Sequence, residues 1–338
     1  MKVYTIKDIA SMAGVSVTTV SRVLNHRPDV NSATREKVEQ IIRETHFVGN
    51  TNARGLKQGN EVIGVVIRGR SNPFLSSLAE AILERADTVP DNFITEYIDE
   101  RADEFQTAIR MTRQNHVKGL IFVGSLIDDR VSAIHGLEVP MVFTTVNAET
   151  AALPRASSVA VDDRSMGRLV AEELLDLGHR QIAIFGSNPV AGDSLAMRFQ
   201  GFCEAFADRG LSYDRTLFRE SRFSFDAGYE TARDFFRERQ DATALFAMSD
   251  TVAVGAIRAL KDMGKNVPDD ISVVGFDGID IGRFTLPRLT TVEQPVDEIA
   301  RRSVNLLLDM MEKDAAPRHI LVEAALRKRE STARCRPD

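Results

Sequence analysis

Two short helical segments around Gly14 constrain this chain more than any other feature. Thr5-Ile6-Lys7-Asp8-Ile9-Ala10 and Thr18-Thr19-Val20-Ser21-Arg22-Val23-Leu24-Asn25 flank Ala13-Gly14-Val15-Ser16. Thr5 can cap the first segment, and Asp8 follows three residues on, close to a capping box. Gly14 takes a positive φ at no steric cost. Ser16 is a natural N-cap for the second segment. The pattern predicts helix, tight turn, helix. That arrangement places its second helix in the DNA major groove, with the first residues of that helix on base edges. A small three-helix bundle that binds no DNA is the alternative reading of the same residues.

Charge divides the chain at the same place. Residues 1–59 hold 9 Lys+Arg and 5 Asp+Glu, whereas the whole chain carries a formal charge of -6. A nucleic-acid partner needs a local basic surface rather than a basic protein. At 338 residues more than one domain is expected. Cys203 and Cys335 are far apart, so neither a disulfide framework nor a metal spacing follows. Cys203 sits in an amphipathic stretch and reads as an inert core thiol. The N-terminus turns polar by residue 7, with no signal-peptide pattern. No apolar run reaches the 18 residues that a membrane span needs. A cytoplasmic protein is expected.

The first segment, continued by Thr34-Arg35-Glu36-Lys37-Val38, resembles the DNA-binding head of the lactose/galactose repressor family of bacterial regulators. Val17, Thr18 and Arg22 are then expected to read the major groove. Val17 and Thr18 suit a thymine methyl, and Arg22 suits guanine. Thr5, Ser16, Ser21, Asn25, Thr34 and Arg35 are expected to position the backbone. The segment Asn50 to Gly59 reads by itself as a polar linker. The resemblance implies a hinge helix that enters the minor groove, with Leu56 as the wedge and Asn50, Ala53 and Arg54 beside it. Gly49 stands where the family usually has proline. Gly55 lies inside the hinge, where it costs a helix about 1 kcal/mol relative to Ala.

From Glu61 onward, buried-strand runs alternate with helical periodicity. Runs at 61–67, 93–98, 117–123, 141–146, 181–185, 244–248 and 271–276 are separated by helical stretches. Such alternation predicts parallel sheets covered by helices, and length predicts two of them. The expected fold is a small all-α helix-turn-helix head plus an α/β body of two doubly wound lobes, of the type I periplasmic-binding-protein kind. Expected bounds are 1–49 for the head, 50–59 for the hinge and 60–338 for the body. The first lobe would take about 60–161 and 293–321, the second about 162–292 and 322–338.

Ligands in such folds bind beyond the carboxyl ends of the strands. Asn72 and Phe74 follow the first strand. They suit a hydrogen bond and an apolar ligand face, or equally a turn and helix start. Arg198 resembles the family's arginine that grips hydroxyls or a carboxylate, and a guanidinium presents five fixed donors for that work. Asp277 ends a buried strand and resembles the family's ligand-accepting aspartate. Ser249 is expected to reach ligand, and Asp250 to cap the next helix. Asp162, at a crossing between lobes, is expected to line the cleft, and Phe223 to stack. Leu289 to Pro295 matches the family's return to the first lobe, and Leu326 to Thr332 its final strand.

Enzyme readings fail on the residues. None of the six histidines has a paired metal-binding spacing, and no G-x-S-x-G elbow occurs. His179 follows a helix and reads as its C-terminal cap. No cofactor or metal is expected. The resemblance implies a repressor acting as a homodimer on a pseudo-palindromic operator, with a sugar effector between its lobes. A nucleobase corepressor is the alternative, since the chain has no Trp to stack on a sugar. A transport-type sugar-binding protein would share the body but need an export signal and no DNA head.

Overall fold

The computed structural model describes residues 6–24, 31–45, 62–69, 72–86, 89, 91–187 and 194–336. The chain divides into two compact units, Met1–Asn60 and Glu61–Asp338.

In the first unit, α1 (Ile6–Ala13), α2 (Val17–Leu24) and α3 (Ser32–Thr45) surround a small core. Ile9, Ala10, Ala13, Val20, Val23, Val38 and Ile41 form it. Gly14 adopts φ +66° at the turn. The Ser16 hydroxyl accepts the Thr19 backbone N–H at 3.1 Å, which satisfies one of the free donors at the start of α2. Thr5, Asn25, Asn50, Ala53, Arg54 and Leu56, and with them the expected hinge, lie outside the described residues.

In the second unit, β1 (Val62–Arg68), β2 (Asn92–Ile98), β3 (Gly119–Val123), β4 (Met141–Thr144) and β5 (Ala156–Val161) belong to one sheet. There β6 (Ile182–Gly186), β7 (Phe218–Glu220), β8 (Ala244–Ala247), β9 (Ser272–Asp277) and β10 (Thr290–Glu293) belong to another. β11 (His319–Val322) returns to the first sheet and β12 (Ala325–Arg327) to the second. The orders are β11-β5-β4-β3-β1-β2 and β12-β10-β9-β8-β6-β7. Pairing is parallel except between β12 and β10. Continuous apolar strands such as Val62–Ile67, buried along their length, are what parallel sheets covered on both faces require.

The helices are α4 (Pro73–Ala86), α5 (Glu104–Asn115), α6 (Asp163–Asp176), α7 (Ser194–Asp208), α8 (Phe225–Glu238), α9 (Asp250–Asp262) and α10 (Val296–Glu312). α10 packs on α4 and on β3, β4 and β5. The chain therefore crosses between the two sheets three times: after β5, after β10 and after β11. A large shared core runs through both lobes.

Several local expectations need correction. Residues 290–293 form β10 within the second sheet, so the return to the first lobe begins only at α10. Of Leu326 to Thr332, only the first two residues are strand. Farther on, the Val273 backbone N–H donates to the Ser331 carbonyl at 2.7 Å, and the Ser331 hydroxyl donates to the Val273 carbonyl at 2.6 Å. His179 does not cap α6 with its side chain. Its ring is buried and meets the hydroxyls of Thr243 and Ser272, each at 3.0 Å. Burial lowers its pKa, which favours the neutral ring. Cys203 behaves as expected: burial pushes its thiol up to about 11.

Candidate functional site: an interlobe cleft and a helix-turn-helix head

The carboxyl ends of the strands of both sheets open onto one cavity of about 320 Å³. That lies at the low end of the range for small-molecule sites, roughly 300–1,000 Å³. Of the residues read from sequence, Asn72, Phe74, Arg198, Phe223, Ser249 and Asp277 all line it. Asp162 does not. Its carboxylate caps α6, accepting the Ser165 backbone N–H at 3.0 Å and hydroxyl at 2.6 Å. The neighbouring residue, Asp163, is the one that serves the cleft, from behind.

Asp163 holds Arg198. The Arg198 Nε and Nη2 donate to one Asp163 oxygen at 3.0 and 2.6 Å. Its Nη1 donates to the Met248 carbonyl at 2.7 Å, and its guanidinium lies 3.3 Å from the centre of the Phe276 ring. Both side chains are buried. A guanidinium clamped this way keeps a fixed fork with N–H donors to spare.

Asp277 occupies the end of β9 with φ +123°, a region that favours glycine and costs roughly 1–3 kcal/mol for another residue. The surroundings hold it there. Ser249 Oγ donates to one oxygen at 2.9 Å and Gln294 Nε2 to the other at 3.0 Å. Burial first, then the charge of Asp250, pushes its carboxyl up to about 8. Asp277 is therefore mostly protonated at neutral pH, able to donate as well as accept.

Asp250 does not cap α9. Ser249 is the N-cap, while Asp250 turns inward. It accepts from the Gly278 and Ile279 backbone at 2.7 and 2.8 Å and from Thr291 Oγ1 at 2.6 Å. Asp250 thus pins the loop after Asp277. Asn72 caps α4, accepting the Phe74 N–H at 3.0 Å, and so fixes Phe74 on the cleft wall. Both readings weighed for Asn72 and Phe74, turn former and cleft lining, hold together.

Sequence reasoning missed most of the rest of the lining. Arg68 ends β1, Glu100 and Arg101 follow β2, Ser125 follows β3, Thr145 follows β4, and Gln294 follows β10. The strand-end rule would have found Arg68 and Gln294. The cleft is bridged at two points: Arg222 pairs with Glu100, and Ser194 Oγ donates to the Thr145 carbonyl at 2.9 Å. Among the described residues no cluster of His, Cys, Asp and Glu could hold a metal ion.

In the head, Val17 and Thr18 open α2, and Ser21 and Arg22 follow one turn later. Arg22 and Ser16 are exposed, and Thr34 and Arg35 are half-buried on α3.

Residues 5–50 match the model of the bacterial regulatory proteins of the lacI family, and residues 171–332 match the periplasmic binding protein-like domain. The HTH-type transcriptional regulator MalR of Clostridium butyricum is 33% identical over 333 residues, spanning 96% of this chain and 98% of the relative. The chain belongs to the LacI family. It is a DNA-binding transcriptional regulator, not an enzyme. Two solved regulator structures share its fold. The transcriptional regulator CelR in complex with cellobiose aligns at TM-score 0.72 and 27% identity over 97% of this chain and 99% of that one. The Lac repressor dimer bound to operator and the anti-inducer ONPF aligns at TM-score 0.72 and 29% identity over 98% and 100%. The expected fold is thus borne out: a helix-turn-helix head and two parallel-sheet lobes. No helix among the described residues is long and apolar enough to cross a membrane.

Proposed function

We propose that this LacI-family regulator is a cytoplasmic repressor whose operator affinity is set by a sugar bound in the interlobe cleft. The observation that carries the reading is the pair of fixed polar groups on the second-lobe wall. Asp277, held between Ser249 and Gln294, offers its carboxyl to adjacent hydroxyls. Arg198, clamped by Asp163, offers the remaining donors. Phe74 and Phe223 supply apolar faces in place of Trp. Two groups that between them donate and accept suit a polyhydroxyl ligand.

The chain acts as a homodimer on a pseudo-palindromic operator, residues 1–49 reading DNA and 50–59 forming the hinge. Ile281, Phe284 and Leu286, shortly before β10 in sequence, are exposed, Phe284 by 81% and Leu286 by 91%. Large apolar side chains left open close together in the chain fit a partner subunit. Effector binding changes the relation of the lobes, and the hinge transmits it as a coupling between two sites.

The test starts at the head. An operator is selected from random sequence, and affinities for it and for single-base variants are measured at fixed salt, since phosphate contacts make every affinity salt-dependent. Arg22→Ala loses roughly 1–3 kcal/mol of discrimination at one base pair. Equal losses on operator and variants would show that Arg22 meets phosphate only.

A further inference from the structure

The two walls of the cleft carry different charge, and the difference bears on which sugar enters. On the second-lobe wall, Arg198 is matched by Asp163 at 2.6 Å. Across the mouth, Arg222 is matched by Glu100. Asp277 is largely uncharged at neutral pH, since burial holds its proton. Glu220 ends β7 on that same second-lobe side.

The first-lobe wall has no such balance. Arg68 Nη2 donates to the backbone carbonyl of Glu100. Its Nε stands 3.7 Å from Glu104 Oε2, beyond hydrogen-bond range. Both of those buried atoms lack a hydrogen-bond partner among the described residues. Glu104 is fully buried, and burial raises its pKa, so it is a weakened counter-ion for Arg68. Arg101, exposed on the same wall, makes no side-chain hydrogen bond or ion pair among the described residues. Two guanidinium groups therefore face the cavity without a full carboxylate partner. A neutral ligand that closed the cleft would leave them poorly compensated as water is excluded. An oxyanion would meet the remaining N–H donors of Arg68 and the guanidinium of Arg101 with charge-assisted hydrogen bonds.

We propose that the effector is an anionic sugar, its carboxylate or phosphate against Arg68 and Arg101 on the first-lobe wall and its hydroxyls against Asp277, Ser249 and Arg198 on the second. This rests on the reading of the effector as a sugar. The anion bridges the lobes from the side opposite the Asp277 wall, so charge selects the ligand and hydroxyl geometry orients it.

The experiment uses the full-length chain stripped of bound ligand. Thermal shift and calorimetry are run with matched sets: glucose, glucuronate and glucose 6-phosphate, then the galactose and ribose counterparts, and cellobiose. The expected result is binding by an acid or a phosphate at least tenfold tighter than by its neutral counterpart. That binding weakens between 50 and 500 mM salt. A response to the acids alone or to the phosphates alone identifies which anion is read. Arg101→Gln, at an exposed position, weakens the anionic ligand tenfold or more, and Arg68→Gln does so further. A neutral sugar that binds as tightly as its acid and phosphate overturns the proposal and leaves the sugar reading standing. An anion whose affinity changes less than twofold in both variants overturns it as well. No shift with any member removes the sugar reading together with this one.

Discussion

The two lobes of the body have one topology and two ways of packing it. Both sheets run in the same six-strand order, with the first strand second from one end, and differ only in the last edge strand, parallel for β11 and antiparallel for β12. In the second lobe the helices meet backbone to backbone. A Cβ on Gly167 of α6 would lie 1.9 Å from the Arg198 carbonyl oxygen of α7, and one on Gly201 of α7 1.9 Å from that of Arg164. Gly228 and Gly255 do the same for α8 and α9, where a Cβ would stand 2.4 and 2.1 Å from the facing backbone. The first-lobe helices α4, α5 and α10 contain no glycine and pack through side chains. Close backbone contact leaves little room for adjustment. The lobe that positions Arg198, Ser249 and Asp277 is thus the more rigid in construction, and the Gly167 crossing touches the backbone of Arg198 itself. Topology is shared; the chemistry of recognition follows from what each lobe does with its strand ends.

The largest expected effect lies at those crossings. Gly167→Ala costs about 3 kcal/mol or more in urea unfolding, at or beyond the usual range for overpacking, because backbone must move. Gly64→Ala in the first lobe, where side-chain ends of Leu120, Met111 and Val117 stand at 3.0, 3.1 and 3.3 Å, costs clearly less. Equal losses would erase the contrast.

Next in size is a pH effect on the second-lobe wall. Asp277 keeps a proton in the folded chain to about pH 8, whereas an unfolded aspartate loses it near 4. The folded state therefore binds more protons between those values, and stability falls as pH rises through that window. The slope approaches about 1.4 kcal/mol per pH unit for one such group. Asp277→Asn flattens the profile measured by denaturant unfolding at a series of pH values. Glu104→Gln, on the first-lobe side, flattens it less. An unchanged profile in Asp277→Asn would show that this carboxyl is ionised in the fold.

The smallest effect is on the bridge. Glu100→Gln or Arg222→Gln changes unfolding free energy by less than about 1 kcal/mol, as for other exposed pairs. Effector affinity, read by calorimetry, moves several-fold because the pair spans the cleft mouth. A loss of several kcal/mol in stability would make the pair a structural tie instead.

Much of this molecule was legible in the sequence because periodicity and punctuation are local. Gly14 and Ser16 announced the head, and the apolar runs announced most strands. β5 was not read because Ala156-Ser157-Ser158-Val159-Ala160-Val161 has small and polar residues where a buried run is expected. It is a strand all the same, since Ser157 and Ser158 find partners in Met310, His319 and Asn147. At the site, Asn72, Phe74, Ser249 and Asp277 were legible from their places after strands, and Arg198 and Phe223 from the family resemblance and residue type. The charged part of the first-lobe wall was not, because Arg68 and Arg101 resemble ordinary surface charges until the fold sets them on the cavity, with Glu104 buried behind Arg68. Asp162 and Asp163 show the finer limit. One caps a helix and the other clamps Arg198, and only register separates them.

The central claim is that the interlobe cleft governs operator binding. It is tested most directly by titrating a labelled operator with the full-length protein, with and without the sugar that stabilises it, for wild type and Asp277→Ala at one salt concentration. The account predicts that saturating ligand changes wild-type operator affinity at least tenfold, while the same concentration moves Asp277→Ala less than twofold. A ligand that binds the cleft and leaves operator affinity unchanged, or an Asp277→Ala variant that responds as wild type does, would contradict it.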